Sequence, residues 1–141
     1  MINGIKPEMS TTTKLRIKPT SFDEALRAFC LKLEENSEHE VAKFKFMDSV
    51  KFGIEKRGIR FIKVKYYTNR IQTDHETGKT DVVMDVKGSI HCFVEKSTGD
   101  IYKPASWRAP YTKGKNAVRG NIYDASSFEK TDMYGGWLYA K

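Results

Sequence analysis

The sequence predicts an α+β fold in which one N-terminal helix packs on an antiparallel, mostly meandering β-sheet that ends in a basic C-terminal loop. Apolar residues first recur with a helical period of about 3.6 and then alternate with a period of two. Short turn signals separate the alternating runs, which indicates strands paired with their chain neighbours. The helix is then left to cover one face of the sheet. At 141 residues, the chain is expected to form a single domain over residues 1–141.

The N-terminal region is interpreted as an arm followed by the helix. Residues 1–19 have a mixed composition, and an edge strand is expected around Leu15 to Lys18. The helix is expected from Ser21 to Asn36. Ser21 and Glu24 have the spacing of a capping box, in which each side chain satisfies a backbone amide of the first turn. The apolar stripe that should face the sheet consists of Phe22, Leu26, Phe29, Cys30 and Leu33.

Alternating runs predict the first strands. Phe44 and Phe46 begin one such run, which continues through Val50, Phe52 and Ile54. The run IRFIKVKYYTNRI predicts a longer strand. One of its faces carries Ile62, Val64 and Tyr66, and the other carries Phe61, Lys63, Lys65 and Tyr67.

Glycines mark the connections of the remaining sheet. Hairpin turns are expected around Gly78 and Gly99, and a bulge or bend at Gly88. The segment AVRGNIYD predicts one more short strand, and the last residues predict a helical turn followed by a packed aromatic tail.

The sequence offers no catalytic, metal or cofactor site. The three histidines are scattered without metal-ligand spacing, and His91 is expected to point away from its neighbour Cys92. Cys30 and Cys92 form no C-x-x-C pair and are interpreted as buried, reduced thiols. No apolar run approaches membrane-spanning length and no signal peptide is recognised, so no membrane partner is expected.

Charge is segregated along the chain, and this is more informative than the net charge of +7. Val41 to Arg70 carries nine basic residues and two acids, whereas Ile71 to Asp100 has a net charge of −3. Ile101 to Gly120 carries five basic residues and no acid. Basic residues interleaved with aromatic ones are typical of surfaces that bind single-stranded nucleic acid. Phe61, Lys63, Lys65 and Tyr67 have this pattern.

The stretch KPASWRAPYTKGKNAVRG poses the sharpest question, because it places Trp107 in a basic segment that contains two prolines. Proline and glycine argue against a helix or a central strand here. Trp107 has two possible roles, as a platform on which a base stacks or as an anchor that pins the loop to the core.

The C-terminal third resembles a signature of small, mostly uncharacterised proteins of tailed bacteriophages. FVEKSTGDIYKPASWRAP, AVRGNIYD and YGGWLY match the patterns F-V-[DE]-K-x-T-G-[DE], K-x-A-[ST]-W-[KR]-A-P, [AV]-R-[GY]-N and Y-G-G, within Phe93 to Tyr139. The resemblance implies a viral origin and a location in the cytoplasm of the infected host or in the virion, and it implies no activity. Among its fixed positions, Lys103, Arg108 and Arg119 have the chemistry of an anion-binding triad.

Three functions are weighed on these observations. The leading hypothesis is a small, non-enzymatic protein that binds nucleic acid, with single strands favoured, through phosphate contacts and stacking. The alternative is a virion component or an inhibitor of a host protein whose basic loop docks on an acidic protein surface. An enzyme acting on a phosphorylated ligand ranks third. The oligomeric state is not predicted.

Overall fold

The computed structural model describes residues 21–56 and 58–139. The elements follow in the order α1 (Phe22–Ala42), β1 (Met47–Glu55), β2 (Phe61–Thr73), β3 (Thr80–Val83), β4 (Ser89–Glu95), β5 (Asp100–Tyr102), β6 (Val118–Asn121) and two 3-10 turns, η1 (Ala125–Phe128) and η2 (Gly136–Tyr139). The arm predicted over residues 1–19, with its strand around Leu15 to Lys18, lies outside the described residues.

The strands form a six-stranded sheet in which each recorded pairing is antiparallel. Its main order is β1-β2-β4-β5-β6, and β3 also pairs with β2. At 13 residues, β2 is long enough for β4 to pair with its first half and β3 with its last residues. The predicted α+β architecture, a helix packed on an antiparallel sheet, is therefore confirmed.

Helix α1 begins as the sequence predicts. The Ser21 side chain accepts the Glu24 N–H at 3.1 Å, and the Glu24 carboxylate accepts the Ser21 N–H at 3.2 Å, which completes the capping box. The stripe from Leu26 to Leu33 is buried against the sheet. The core contains Ala25, Leu26, Phe29, Cys30, Leu33, Val50, Phe52, Ile62, Val64, Cys92, Val94, Ile101, Ile122, Phe128, Met133, Trp137 and Leu138.

The helix ends later than predicted. It continues to Ala42, where the amides of Lys43 and Phe44 bond to the carbonyls of Glu40 and Val41. The strand expected from Phe44 therefore begins only at Met47. Phe46 lies in the turn between the two elements and is 72% exposed.

A bulge in β4 changes the direction of one predicted side chain. Val64 pairs with Cys92 but Lys65 pairs with Ile90, so His91 is an extra residue in the ladder. His91 therefore does not point away from Cys92. Both side chains are buried, and the His91 ring contacts Phe52 at 5.2 Å between ring centroids.

The C-terminal tail closes the core, as expected from its aromatic content. The Phe29 ring of α1 meets the rings of Phe128 at 4.9 Å and Trp137 at 6.4 Å, in edge-to-face arrangements. Cys30 and Cys92 are buried free cysteines, as predicted. Burial raises the pKa of the Cys30 thiol to about 12, so the reactive thiolate is scarce near neutral pH.

Candidate functional site

The sheet face opposite α1, here called the basic face, is built on the alternation of β2. Ile62 and Val64 enter the core, so Lys63, Lys65 and Tyr67 project from the other side. The Tyr67 ring lies against two glycines. A Cβ at Gly53 would stand 3.3 Å from this ring, and one at Gly88 would stand 2.6 Å from it.

The loop after β5 folds back as a closed hairpin and reaches the basic face. Pro104 and Pro110 form a β-bridge at its base. Inside it, the Ser106 hydroxyl accepts the amides of Arg108 and Ala109, each at 3.2 Å. These local bonds satisfy backbone groups that would otherwise depend on water, and they hold Trp107 at the tip of the loop.

Three ammonium groups gather around the Trp107 indole. The Nζ atoms of Lys63, Lys65 and Lys87 lie 4.4, 5.1 and 5.9 Å from its ring centroid. Trp107 is 40% exposed and is not a member of the core cluster. The structure thus does not place this side chain as a core anchor. Each cation–π contact at an exposed site is worth about 0.5–1 kcal/mol, which only partly offsets the repulsion between like charges.

A groove of about 330 Å³ lies on the same face. Its lining includes three cationic side chains, Arg60, Lys63 and Arg108, together with Phe61 and Phe93. The Phe61 ring also meets Tyr102 edge-to-face at 5.7 Å. Cations and aromatic rings are therefore placed within one concave surface.

A buried carboxylate holds Arg60 in position. The Glu95 carboxylate accepts Arg60 Nε–H at 2.9 Å and the hydroxyls of Tyr102 and Thr98 at 3.2 and 3.3 Å. The bond from Arg60 holds the pKa of Glu95 below its usual range, so this carboxylate stays ionised near neutral pH. The Arg60 guanidinium also lies over the Phe61 ring, 5.0 Å from its centroid.

Most predicted site residues meet on this face. Lys63, Lys65 and Trp107 are in mutual contact through the indole, Tyr67 lies 5.5 Å below the Lys65 ammonium, and Phe61 and Arg108 line the groove. Lys65 is the least accessible of the lysines, since it is 8% exposed and forms an ion pair with Glu55 at 3.7 Å.

Two predicted site residues lie elsewhere. The Lys103 ammonium sits over the rings of Tyr111 and Tyr139, 4.8 Å from each centroid. Arg119 is the extra residue of a bulge in β6 and is 7% exposed. The predicted triad of Lys103, Arg108 and Arg119 is therefore not presented together on the basic face.

Sequence reasoning missed Arg60 and Lys87. Lys87 belongs to a segment whose net charge is negative, so averaging charge over the segment concealed it. Arg60 falls in a turn beside Phe61, and its pairing with Glu95 spans 35 residues. The one available signal was its position immediately before an aromatic residue of the predicted basic face.

Metal and membrane features were sought over residues 21–56 and 58–139. In this part of the chain, no three His, Cys, Asp or Glu side chains are grouped to hold a metal ion. None of the helices described has the length and apolar character needed to span a bilayer.

Comparison with known proteins gives a family without an assigned function. No curated protein matches this sequence, and no solved structure matches it. A family model described as "Family of unknown function (DUF7717)" matches residues 9–140. Because the match spans nearly the whole chain, the protein belongs to the Family of unknown function (DUF7717).

Proposed function

We propose that the protein binds single-stranded nucleic acid on its basic face, with little sequence specificity and without an enzymatic step. The observation that carries the proposal is the gathering of the Lys63, Lys65 and Lys87 ammonium groups around one exposed indole. Like charges held this close favour an anion between them, and phosphate is the anion that nucleic acid supplies at regular intervals.

The indole supports stacking by a simple exchange. In the free protein, lysines cover part of the Trp107 ring, and each contact is worth about 0.5–1 kcal/mol. A base stacked on an aromatic side chain contributes about 1–3 kcal/mol. When an ammonium leaves the ring for a phosphate, the ring face becomes available to a base, and both new contacts are stronger than the one that is lost.

The groove beside the loop extends the same surface. Arg60 and Arg108 bring planar guanidinium groups that match phosphate oxygens, and Phe61 lies between these cations and the floor of the groove. Every base has a stackable face and every nucleotide has a phosphate. Contacts of these two kinds therefore predict similar affinities for unrelated sequences.

A direct titration tests the proposal. Labelled oligonucleotides of unrelated sequence, single-stranded and duplex, are titrated with the purified protein at low salt, and fluorescence anisotropy is measured. Saturable binding with single strands preferred is expected, as is raised absorbance at 260 nm in protein purified without nuclease. If the wild-type protein binds no oligonucleotide at low salt, the proposal is rejected and the alternative, an acidic protein surface on the basic loop, takes its place.

The biological setting is also a proposal. The C-terminal resemblance supports a phage origin, with the protein acting in the cytoplasm of the infected host or within the virion. Genome neighbours discriminate between these settings, since replication genes favour nucleic-acid binding, and head or tail genes favour a virion component.

A further inference from the structure

Apolar side chains are exposed at the end of the sheet where α1 stops. Phe44 and Phe46 are 47% and 72% exposed, and they line a cavity of about 410 Å³ together with Met47. Thr68 and Arg70 complete this lining. They also line a second cavity, of about 390 Å³, beside the exposed Met84 and Val86. The two cavities therefore adjoin, and we call their combined surface the end patch.

The end patch is preformed and lies apart from the basic face. The Ile71 N–H donates to the Phe46 carbonyl at 2.7 Å, which ties the turn to the end of β2. Thr68 and Arg70 alternate along β2 with Tyr67, so the patch opens on the face that α1 covers elsewhere. Because α1 ends at Ala42, it does not extend over these side chains.

The charge around the cavity of Phe44 and Phe46 has one sign. Its lining includes Lys43, Lys45 and Arg70 and, among the described residues, no carboxylate. Apolar side chains surrounded by cations form a surface that complements a segment carrying both acidic and apolar residues.

We propose that the end patch docks an acidic segment of a partner protein, which inserts an apolar side chain between Phe44 and Phe46 while its carboxylates pair with Lys43, Lys45 and Arg70. The partner would be held on one side of the molecule while the basic face remains accessible on the other. The proposal depends on a different surface from the nucleic-acid interface, so either one can fail alone.

The shape and charge of the patch argue against other occupants. The aromatic side chains line a concavity, which fits a protruding side chain, whereas insertion into a bilayer requires a protruding apolar tip. Two copies meeting through the same patch would bring cations against cations. The first twenty residues of this chain carry four basic residues and one acid, so their charge also opposes binding here.

Peptide binding tests the proposal on the full-length protein. A labelled peptide of alternating glutamate and leucine is titrated by anisotropy, beside a glutamate–serine peptide and a lysine–leucine peptide. Wild type is expected to bind only the glutamate–leucine peptide. Phe46→Ser is expected to weaken that binding by about tenfold, as for an interface anchor. Leu31→Ser, which changes an exposed apolar residue of α1, is the matched control and should bind as wild type does.

Further variants keep the test decisive. Lys45→Glu should weaken binding of the glutamate–leucine peptide even where Phe46→Ser folds poorly, and Trp107→Ala should leave it unchanged. Equal binding of the glutamate–serine peptide, or equal binding by wild type and both patch variants, overturns the proposal. It is also overturned if Phe46 is needed instead for binding to phosphatidylglycerol–phosphatidylcholine vesicles, or for self-association in sedimentation.

Discussion

Trp107 combines exposure with close electrostatic contacts. It is 40% exposed, and three ammonium groups lie within 5.9 Å of its ring centroid. A tryptophan that anchors a loop would instead lie in the core, as Trp137 does. The position of Trp107 therefore favours a role in binding over a role in stability.

Replacing Trp107 with alanine is expected to weaken oligonucleotide binding by about 1–3 kcal/mol and to leave the fold intact. Anisotropy gives the affinity, and urea unfolding gives the stability. Tyr134→Ala is the control, because Tyr134 is 54% exposed and contacts Tyr66 on the other side of the sheet. A loss of stability near 3–5 kcal/mol in Trp107→Ala would restore the anchor interpretation.

His91 is buried as a neutral imidazole. Its Nδ1–H donates to the Met133 carbonyl at 3.2 Å, and its Nε2 accepts the Trp137 indole N–H at 2.9 Å. Burial lowers the pKa of His91 to about 4. The unfolded chain takes up this proton at a pH near 6.5, so acidification favours the unfolded state between the two values.

The free energy of unfolding should therefore fall by about 1.4 kcal/mol for each pH unit between 6.5 and 5, a range in which most carboxylates remain ionised. Urea unfolding at several pH values measures this slope. In His91→Gln the slope should be much smaller, while His39→Gln, at an exposed site of α1, should keep it. An unchanged slope in His91→Gln would show that another group causes the pH dependence.

At the scale of elements, β2 and the connection from β3 to β4 position the aromatic floor of the basic face. Gly88 has a φ of 74°, which favours glycine, and it also leaves room for the Tyr67 ring. Gly78 has a φ of 75° in the hairpin between β2 and β3, but nothing lies within 4 Å of a Cβ placed there. These two glycines separate the cost of backbone conformation from the cost of a steric clash.

Gly78→Ala is expected to destabilise the protein by about 1–2 kcal/mol, the cost of a left-handed conformation alone. Gly88→Ala should cost more, because its Cβ would stand 2.6 Å from the Tyr67 ring. Urea unfolding of both variants gives the difference. Equal losses would mean that the Tyr67 ring moves aside freely and does not form a fixed platform.

The start of α1 was predictable from the sequence because the capping box and the apolar stripe are local signals. The end of α1 was not, since neither glycine nor proline follows Asn36 until Gly53, and Phe44 and Phe46 happen to alternate as in a strand. The β-bulge at His91 has no sequence signature of its own. For the candidate site, the alternation of β2 predicted Lys63 and Tyr67, but the path of the loop across β4 to Lys63 is a tertiary feature.

At the scale of the whole molecule, charge is divided between opposite sides. The outward face of α1 lies within a stretch, Ser21 to Glu40, that carries six acids and two basic residues. The cations of the loop and of β2 lie on the other side of the sheet. Such a division steers an anionic strand toward one face, an effect that salt weakens.

Oligonucleotide affinity should therefore decrease linearly with salt concentration on a double logarithmic plot. Arg108→Ala should weaken binding to unrelated sequences about equally and reduce the slope by roughly one unit. Lys32→Ala is the control, because Lys32 pairs with Glu35 on α1, away from the basic face. A slope that does not change in Arg108→Ala would remove this side chain from the phosphate contacts.

The closure of the core by the C-terminal tail has a consequence for synthesis of the protein. Phe29 of α1 packs against Phe128 and Trp137, about a hundred residues later in the chain. A ribosome delivers α1 first, and the growing polypeptide exposes this apolar stripe until the tail emerges from the exit tunnel. Nascent chains that stall before Trp137 therefore lack part of their core, which makes them targets for chaperones and proteases.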